Sequence, residues 1–399
     1  MARWLNEIGS RDPDHTLMLL ALLMLSCGNI LIPKRNAQSA GGNAPAGDLS
    51  KVARPAIATK SAPLPGFMRG INLGNGLDAP REGEWGVVLR ERHFEMAAAA
   101  GLDHVRLPVR FSAHAASAAP YRVEDGIFTR VDWAVQEALR HRLSIIIDLH
   151  HYEELMKEPE RHSERFLGIW SQIALRYKAQ PASVAFELVN EPNDKLTSDK
   201  LNPLVARAIE IVRASNPTRL IIVDCPFWAN AENLDQLVLP EDPNVVPSFH
   251  MYQPILFTHQ GADWMGPEFQ TRGIVFPGPP AAPLTPVPAA EQTSWTKDWF
   301  DGYRSLPLEQ NPSGPSTVFL HFSKAEAYVA KTRKRMYLGE FGAIDNADPK
   351  SRENYIRLVR QEAERHGFGW AYWDDGGKNK AMIVDSGKWV SVVESALFH

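Results

Sequence analysis

The sequence predicts an α/β barrel, and three observations predict it. Short apolar runs rich in β-branched residues alternate with longer amphipathic stretches, eight runs of each kind are present, and polar and aromatic residues stand at the C-terminal ends of nearly all the apolar runs. Such alternation is the mark of repeated βα units, in which parallel strands are joined through crossover helices. Eight strands each followed by a helix close most simply into a (β/α)8 TIM barrel, where side chains at the C-terminal strand ends converge on one cavity.

Taken in order, the expected strands are Phe67–Leu73, His104–Val109, Ser144–Leu149, Val184–Val189, Arg219–Val223, Val245–His250, Met336–Gly339 and Gly369–Trp373. The helical period places helices at Val87–Ala99, Val131–His141, Glu164–Ala179, Pro203–Ser215, Ala231–Leu237, Ser323–Arg333, Arg352–His366 and near Val390–Leu397. A doubly wound open sheet is the competing arrangement, but Gly70, Gly74 and Gly76 do not fit its glycine-rich phosphate turn. One connection breaks the regular spacing. From Tyr252 to about Thr317 no convincing element is visible, and the stretch includes the proline-rich Phe276–Pro288. Loops of that length in a compact domain are usually functional or disordered, and this one follows the sixth strand, on the active-site face.

The chain has 399 residues, 44% hydrophobic and 23% charged, enough for one barrel-sized core. Residues 1–36 are expected to be a signal peptide or N-terminal membrane anchor, because Leu17–Ile32 is uncharged and almost wholly apolar. That segment makes membrane attachment through residues 17–32 possible and an extracytoplasmic location the expected one. Residues 37–65, rich in Ala, Gly, Ser and Pro, are expected to be a linker, and residues 66–399 the folded domain. A formal net charge of −4 offers no basic surface for nucleic acid. Cys27 and Cys225 cannot form a disulfide framework, and Cys225, after the apolar run Leu220–Val223, is expected to be a buried inert thiol. No CxxC or HExxH spacing occurs, so neither a metal nor a cofactor is expected, and the protein is expected to be a monomer.

The strand ends carry Asn75 and Asp78, Arg106, Asp148-Leu149-His150-His151, Asn190-Glu191, His250 and Tyr252, Glu340, and Trp373-Asp374. Two of these are glutamates immediately after apolar runs, on the fourth and seventh strands. A carboxylic acid that protonates a leaving oxygen and a carboxylate that attacks an anomeric carbon are the tools of glycoside hydrolysis. Other readings of these residues stand beside that one. Arg106 could be a structural ion-pair partner inside the barrel, and His150 and His151 could be core residues satisfied by neighbouring carbonyls. Turn chemistry alone would explain Asn75 and Asp78. Trp228, Trp264, Trp295 and Trp299 could line outer sugar subsites or pack a loop.

Phe186-Glu187-Leu188-Val189-Asn190-Glu191-Pro192 resembles the strand-four signature of glycoside hydrolase family five, the cellulase family, and of its wider clan of retaining barrel enzymes. The resemblance runs from Arg69 to Trp373. Arg69–Asn75 is similar to that family's first-strand motif, Val105–Val109 to its second, Ile147–His151 to its third, Phe249–Tyr252 to its sixth, Leu338–Gly342 to its seventh and Trp370–Trp373 to its eighth. It implies that Glu191 is the acid/base and Glu340 the nucleophile, held ionised by Arg106 and oriented by Tyr252. It further implies that Asn190 binds the sugar 2-hydroxyl, that His250 tunes Glu191, and that His150 and His151 bind hydroxyls where cleavage occurs. Trp373 would be the platform under that sugar, with Asn75, Asp78 and Trp228 as further sugar contacts. The implied activity is endo-acting, retaining hydrolysis of a β-1,4-glucan, with a β-linked polysaccharide or oligosaccharide as the partner. A β-mannanase, a xyloglucanase or an exo-acting β-glucosidase would share the same motifs. A metal-dependent barrel hydrolase using His150, His151 and His250, or a non-catalytic carbohydrate-binding barrel, are the readings from other classes.

Overall fold

A computed structural model of the chain describes residue 49 and residues 52–399. The expected signal peptide or anchor, and most of residues 37–51, lie outside the described residues. The rest is one closed parallel barrel of eight strands in sequential order, β1 hydrogen-bonding β8 to complete the circle. The strands are β1 Arg69–Asn72, β2 His104–Val109, β3 Ser144–Leu149, β4 Val184–Glu187, β5 Ile221–Asp224, β6 Val245–Met251, β7 Tyr337–Phe341 and β8 Gly369–Tyr372. Around them lie α1 Glu91–Ala99, α2 Asp125–Arg140, α3 Pro159–Tyr177, α4 Ser198–Arg213, α5 Ser294–Ser305, α6 Pro315–Thr332, α7 Pro349–His366 and α8 Ser391–Phe398. After β5 the expected helix is a 3-10 turn, Ala231–Gln236, started by the Asn230 side chain accepting the Glu232 amide.

Strands β2 and β3 are buried at every position, as they must be when helices cover one face and the barrel interior the other. The period of two then sorts their side chains. Ile146, Ala185, Ile222, Val246 and Ala371 form an apolar layer with Tyr337, closed from below by Leu64 and Phe67. Two residues further along, the same inward face carries Asp148, Glu187, Asp224 and Ser248, all without exposed surface. The interior therefore changes from hydrocarbon to charge in one step along the strands.

Three differences from the sequence reading have local causes. Helix α6 starts at Pro315, eight residues before the expected Ser323, because proline is favoured in the first turn and was read as loop. The connection from Tyr252 to Thr317 is structured: it holds short helices at Ile255–Thr258 and Pro288–Gln292, and then α5, which buries Thr296, Phe300 and Tyr303 along one face. The prolines that suggested an irregular loop separate and start these helices. Before β1, residues 54–65 are laid against the barrel: the Ala58 and Thr59 amides donate to the Glu326 carboxylate, and the Ser61 amide to the His366 carbonyl.

Candidate active site

At the C-terminal mouth of the barrel the arrangement is organised by Arg106 on β2, which has no exposed surface. Its Nε and Nη2 grip both oxygens of Glu187 at 2.8 and 2.6 Å, Nη2 also donates to Asn190 Oδ1 at 2.7 Å, and Nη1 donates to Asn72 Oδ1 and Glu340 Oε1 at 2.8 and 2.7 Å. A guanidinium has five N–H donors, and all are engaged. Asp148 lies 3.1 Å from the same Nη2. One cation therefore faces three buried carboxylates. Because Arg106 claims the oxygen of Asn190, the NH2 of that amide is turned the other way, available as a donor.

Glu340 is the penultimate residue of β7 and Glu191 follows β4, and an oxygen of each lies within 4.8 Å of the other and of a His250 nitrogen. Tyr252 donates its hydroxyl to Glu340 Oε2 at 2.9 Å, and His250 Nδ1 is 2.8 Å from Glu191 Oε1 and 3.7 Å from Glu340 Oε2. Gly339 makes the approach possible, since a Cβ there would fall 2.7 Å from His250 Nε2. Glu191 itself is left-handed, at φ 46°. Bulky residues adopt that conformation at a cost of about 1–3 kcal/mol and keep it where the surroundings enforce it; here the Glu191 amide is tied to Asp224 Oδ2 at 3.0 Å.

Burial pushes the Glu191 carboxyl up to about 7, against the pull of Arg106 and with the help of Glu187. Burial also raises Glu340, although His250, Arg106 and the Tyr252 hydrogen bond lower it. Arg106 pulls Glu340 toward its ionised form. Its charge is divided among Asp148, Glu187 and Glu340, so desolvation outweighs what remains. A pH consequence follows if Glu191 acts as an acid and Glu340 as a carboxylate. kcat/KM should fall as pH rises through about 7, where Glu191 loses its proton, and should also fall on the acid side at a pH above the ordinary glutamate range, where Glu340 gains one. A profile flat from pH 6 to 9 would contradict this assignment of protonation states.

The other expected residues are distributed less evenly. His150 Nδ1 is 2.5 Å from Asp148 Oδ2, and its ring stacks on Trp373 with centroids 5.7 Å apart and planes 11° apart. Burial holds His150 well below its usual range and His151 down at about 4, so both imidazoles are neutral near pH 7. Asp78 is a correction: it has no exposed surface, and its Oδ2 accepts the Asn75 amide at 3.0 Å, so turn formation occupies it rather than sugar. Asn75, at φ 60°, spends its amide NH2 on the Asp375 carbonyl. Trp228 is half-buried in a run of three left-handed residues, Phe227, Trp228 and Ala229, with its amide on the Pro192 carbonyl beside Glu191. Cys225 is buried, and burial pushes its thiol up, as expected of an inert cysteine.

Among the loop tryptophans, Trp299 stacks on Tyr303 and Trp295 packs on Phe269, while Trp264 is 43% exposed. Trp264 reaches the site through His259, whose ring lies edge-on to both Trp264 and Tyr252. Replacing Trp264 by Ala should weaken long oligosaccharides up to about tenfold more than short ones, as expected for loss of one aromatic packing face. The same change at Trp299 should lower the melting temperature without dependence on chain length. Equal effects of Trp264→Ala at every length, in a Michaelis–Menten series, would place it in the packing class too.

Sequence reasoning left out Asn72, Glu187 and Asp224, and the Trp85 ring that lies edge-on to His151. A signal was present for two of them: a carboxylate inside an apolar strand run must face something polar, and Glu187 and Asp224 stand at such positions. Three groups of imidazole and carboxylate atoms approach within 4.8 Å at the mouth: Asp78 with His150 and His151, Glu187 with Asp224 and His250, and Glu191 with His250 and Glu340. In each, atoms a cation would need already serve Arg106, Asn75, Asp148 or Glu191.

With this geometry in view, the cellulase model of glycosyl hydrolase family 5 matches residues 75–379. The chain belongs to this family. As a family 5 member it is a glycosidase. It is 29% identical over 307 residues to Endoglucanase H of Acetivibrio thermocellus, which covers 77% of this chain but only 29% of that much longer protein. Two solved structures align closely. The cellulose synthase subunit Z of Clostridioides difficile has a TM-score of 0.73 and 34% identity, covering 84% of this chain and all of that one. The endoglucanase Cel5A of Thermotoga maritima has a TM-score of 0.72 and 34% identity, covering 83% and 97%; it has also been solved with cellobiose and with mannotriose.

Proposed function

We propose that this family 5 chain is a retaining endo-β-1,4-glucanase that cleaves β-glucans by double displacement. The observation that carries the mechanism is the pair Glu191 and Glu340, with an oxygen of each within 4.8 Å. That proximity suits a retaining site, whose carboxyl groups stand about 5–5.5 Å apart. Glu340, gripped by Arg106 and Tyr252, attacks the anomeric carbon while Glu191, kept protonated by burial, gives its proton to the departing oxygen. The C1–O bond breaks as the ester to Glu340 forms. In the second half Glu191 takes a proton from water, the water oxygen bonds to C1, and the carboxylate of Glu340 is released with the β configuration retained. The free NH2 of Asn190 is placed to donate to the sugar 2-hydroxyl, a contact that strengthens in the transition state.

The relatives named endoglucanase, with a similar hyperthermophilic endo-β-1,4-glucanase solved with substrate, support β-1,4-glucan as the substrate. The mannotriose complex of the Thermotoga enzyme makes mannan the comparison to run. Polymeric glycans do not cross membranes, and the apolar Leu17–Ile32 fits export or anchoring, so the reading includes an extracytoplasmic location. The test is a panel of soluble β-glucan, mannan and xyloglucan with products sized by chromatography and the first anomer identified by NMR. Mid-length cello-oligosaccharides released early as the β-anomer are expected. Glucose as the sole early product, a preference for mannan, or a first α-anomer would each overturn the corresponding part.

A further inference from the structure

We infer that Asp224 is a positioning residue for proton cycling at Glu191, acting through His250 and through the Glu191 backbone; the inference rests on the assignment of Glu191 as acid/base. Asp224 closes β5 and has no exposed surface. One of its oxygens, Oδ2, takes the Glu191 amide at 3.0 Å and stands 3.4 Å from His250 Nε2, an ion-pair distance at which that nitrogen makes no hydrogen bond, while Oδ1 also has no partner. On the other side of the ring, Nδ1 lies 2.8 Å from Glu191 Oε1. Two carboxylates thus sit on opposite nitrogens of one imidazole.

Counting protons gives the consequence. With two protons on this array, both electrostatic contacts are favourable: either His250 carries both and faces a carboxylate on each side, or the ring keeps the proton on Nε2 and Glu191 holds the other. These two forms differ by movement of one proton between Glu191 Oε1 and His250 Nδ1. Remove one proton, and one carboxylate must face a ring lone pair, whichever tautomer forms. The charge of Asp224 therefore opposes loss of the proton that Glu191 needs as an acid, and holds a ring proton ready when Glu191 becomes a carboxylate. The charged and titratable groups around Asp224 are His250 from β6, Glu187 and Glu191 from the β4 end, Arg106 from β2, Asp148 from β3, Tyr337 from β7 and the adjoining Cys225 thiol, and Glu340 from β7 stands 3.7 Å from His250 Nδ1. Arg106 is engaged by Glu187, Asn190, Asn72 and Glu340, which leaves His250 as the group beside Asp224 that can carry a proton toward it. Burial also pushes Asp224 up to about 6, with His250 pulling it down.

Asp224→Asn isolates the charge, because an amide oxygen can still accept the Glu191 N–H. The uncharged oxygen no longer draws a proton to Nε2, so the one-proton array, with Nδ1–H given to ionised Glu191, no longer sets a carboxylate against a ring lone pair. The high-pH limb of kcat/KM should move down by about one pH unit, costing about fivefold at pH 7 and approaching about tenfold above pH 8 on cello-oligosaccharides. Formation of the covalent intermediate from a dinitrophenyl glycoside, which needs no proton, should change by less than about threefold. In the Glu191→Ala background Asp224→Asn should cost nothing further with that substrate. An unmoved limb, or equal losses with both leaving groups, would overturn the inference. If Asp224→Asn does not fold, nitrogen NMR of His250 in the unaltered protein decides: a proton on Nε2 throughout pH 5–7 is expected, and an unprotonated Nε2 there overturns it. The acid/base reading is tested separately by Glu191→Ala alone, which must spare the activated substrate. If it does and Asp224→Asn leaves the pH limb in place, only the positioning role is lost.

Discussion

Glu340→Ala is expected to lose on the order of 10^4- to 10^6-fold in kcat/KM on every substrate, whatever its leaving group, because no glycosyl ester can form. Glu191→Ala should behave differently. A dinitrophenyl glycoside departs without protonation, so the ester to Glu340 should still form and then persist for want of a base. Added azide should release it as the β-glycosyl azide, since a small anion can enter the space left by the carboxyl and attack the α-linked ester. Any azide product from Glu340→Ala should be the α-azide, because the anion then attacks the substrate directly from the vacated nucleophile position. The anomer of the azide, read by NMR, identifies which carboxylate was removed. A β-azide from Glu340→Ala together with an α-azide from Glu191→Ala would exchange the two roles.

The second large effect is expected at Arg106. Arg106→Met would leave Glu187, Asp148 and Glu340 buried around no cation. Removing one partner of a buried charge cluster typically costs about 3–5 kcal/mol, which should appear as a lower midpoint in chemical denaturation. Arg106→Lys separates charge from geometry. The ammonium has three donors and no fork, so it cannot hold both Glu187 oxygens, Asn190, Asn72 and Glu340 together. Its stability should fall less than that of Arg106→Met, while kcat/KM falls at least about 100-fold, because the Asn190 amide and the Glu340 carboxylate lose their common anchor. Near-normal turnover by the lysine variant would mean that positive charge alone is what the site requires.

Much of this is legible in the sequence. The expected bounds of β2 and β3 agree with the structure residue for residue, although Arg106 interrupts the apolar run of one and Asp148 that of the other. The placement of Glu191, His250, Tyr252 and Glu340 at strand ends followed from the same runs, because a parallel barrel brings those ends to one mouth. The connection after β6 was read less well. The buried face of α5 is visible in the spacing of Thr296, Phe300 and Tyr303, but prolines and the short helices before it obscured the period.

What the sequence by itself determined is the order of elements, the closure into a barrel and the chemical types gathered at its mouth, because each of these is written in local periodicity and in the residue that ends each run. What only the tertiary structure decided is how those groups divide their hydrogen bonds. Arg106 meets Glu187 across 81 positions of sequence and Glu340 across 234, and no local pattern says that one guanidinium must serve both as well as Asp148. For the same reason Asp78 is given to a turn, Trp264 to solvent and Trp299 to packing, although all three read alike as polar or aromatic residues on active-site loops. Donors and lone pairs are finite, and which partner claims each one depends on distances that exist only after the barrel has closed.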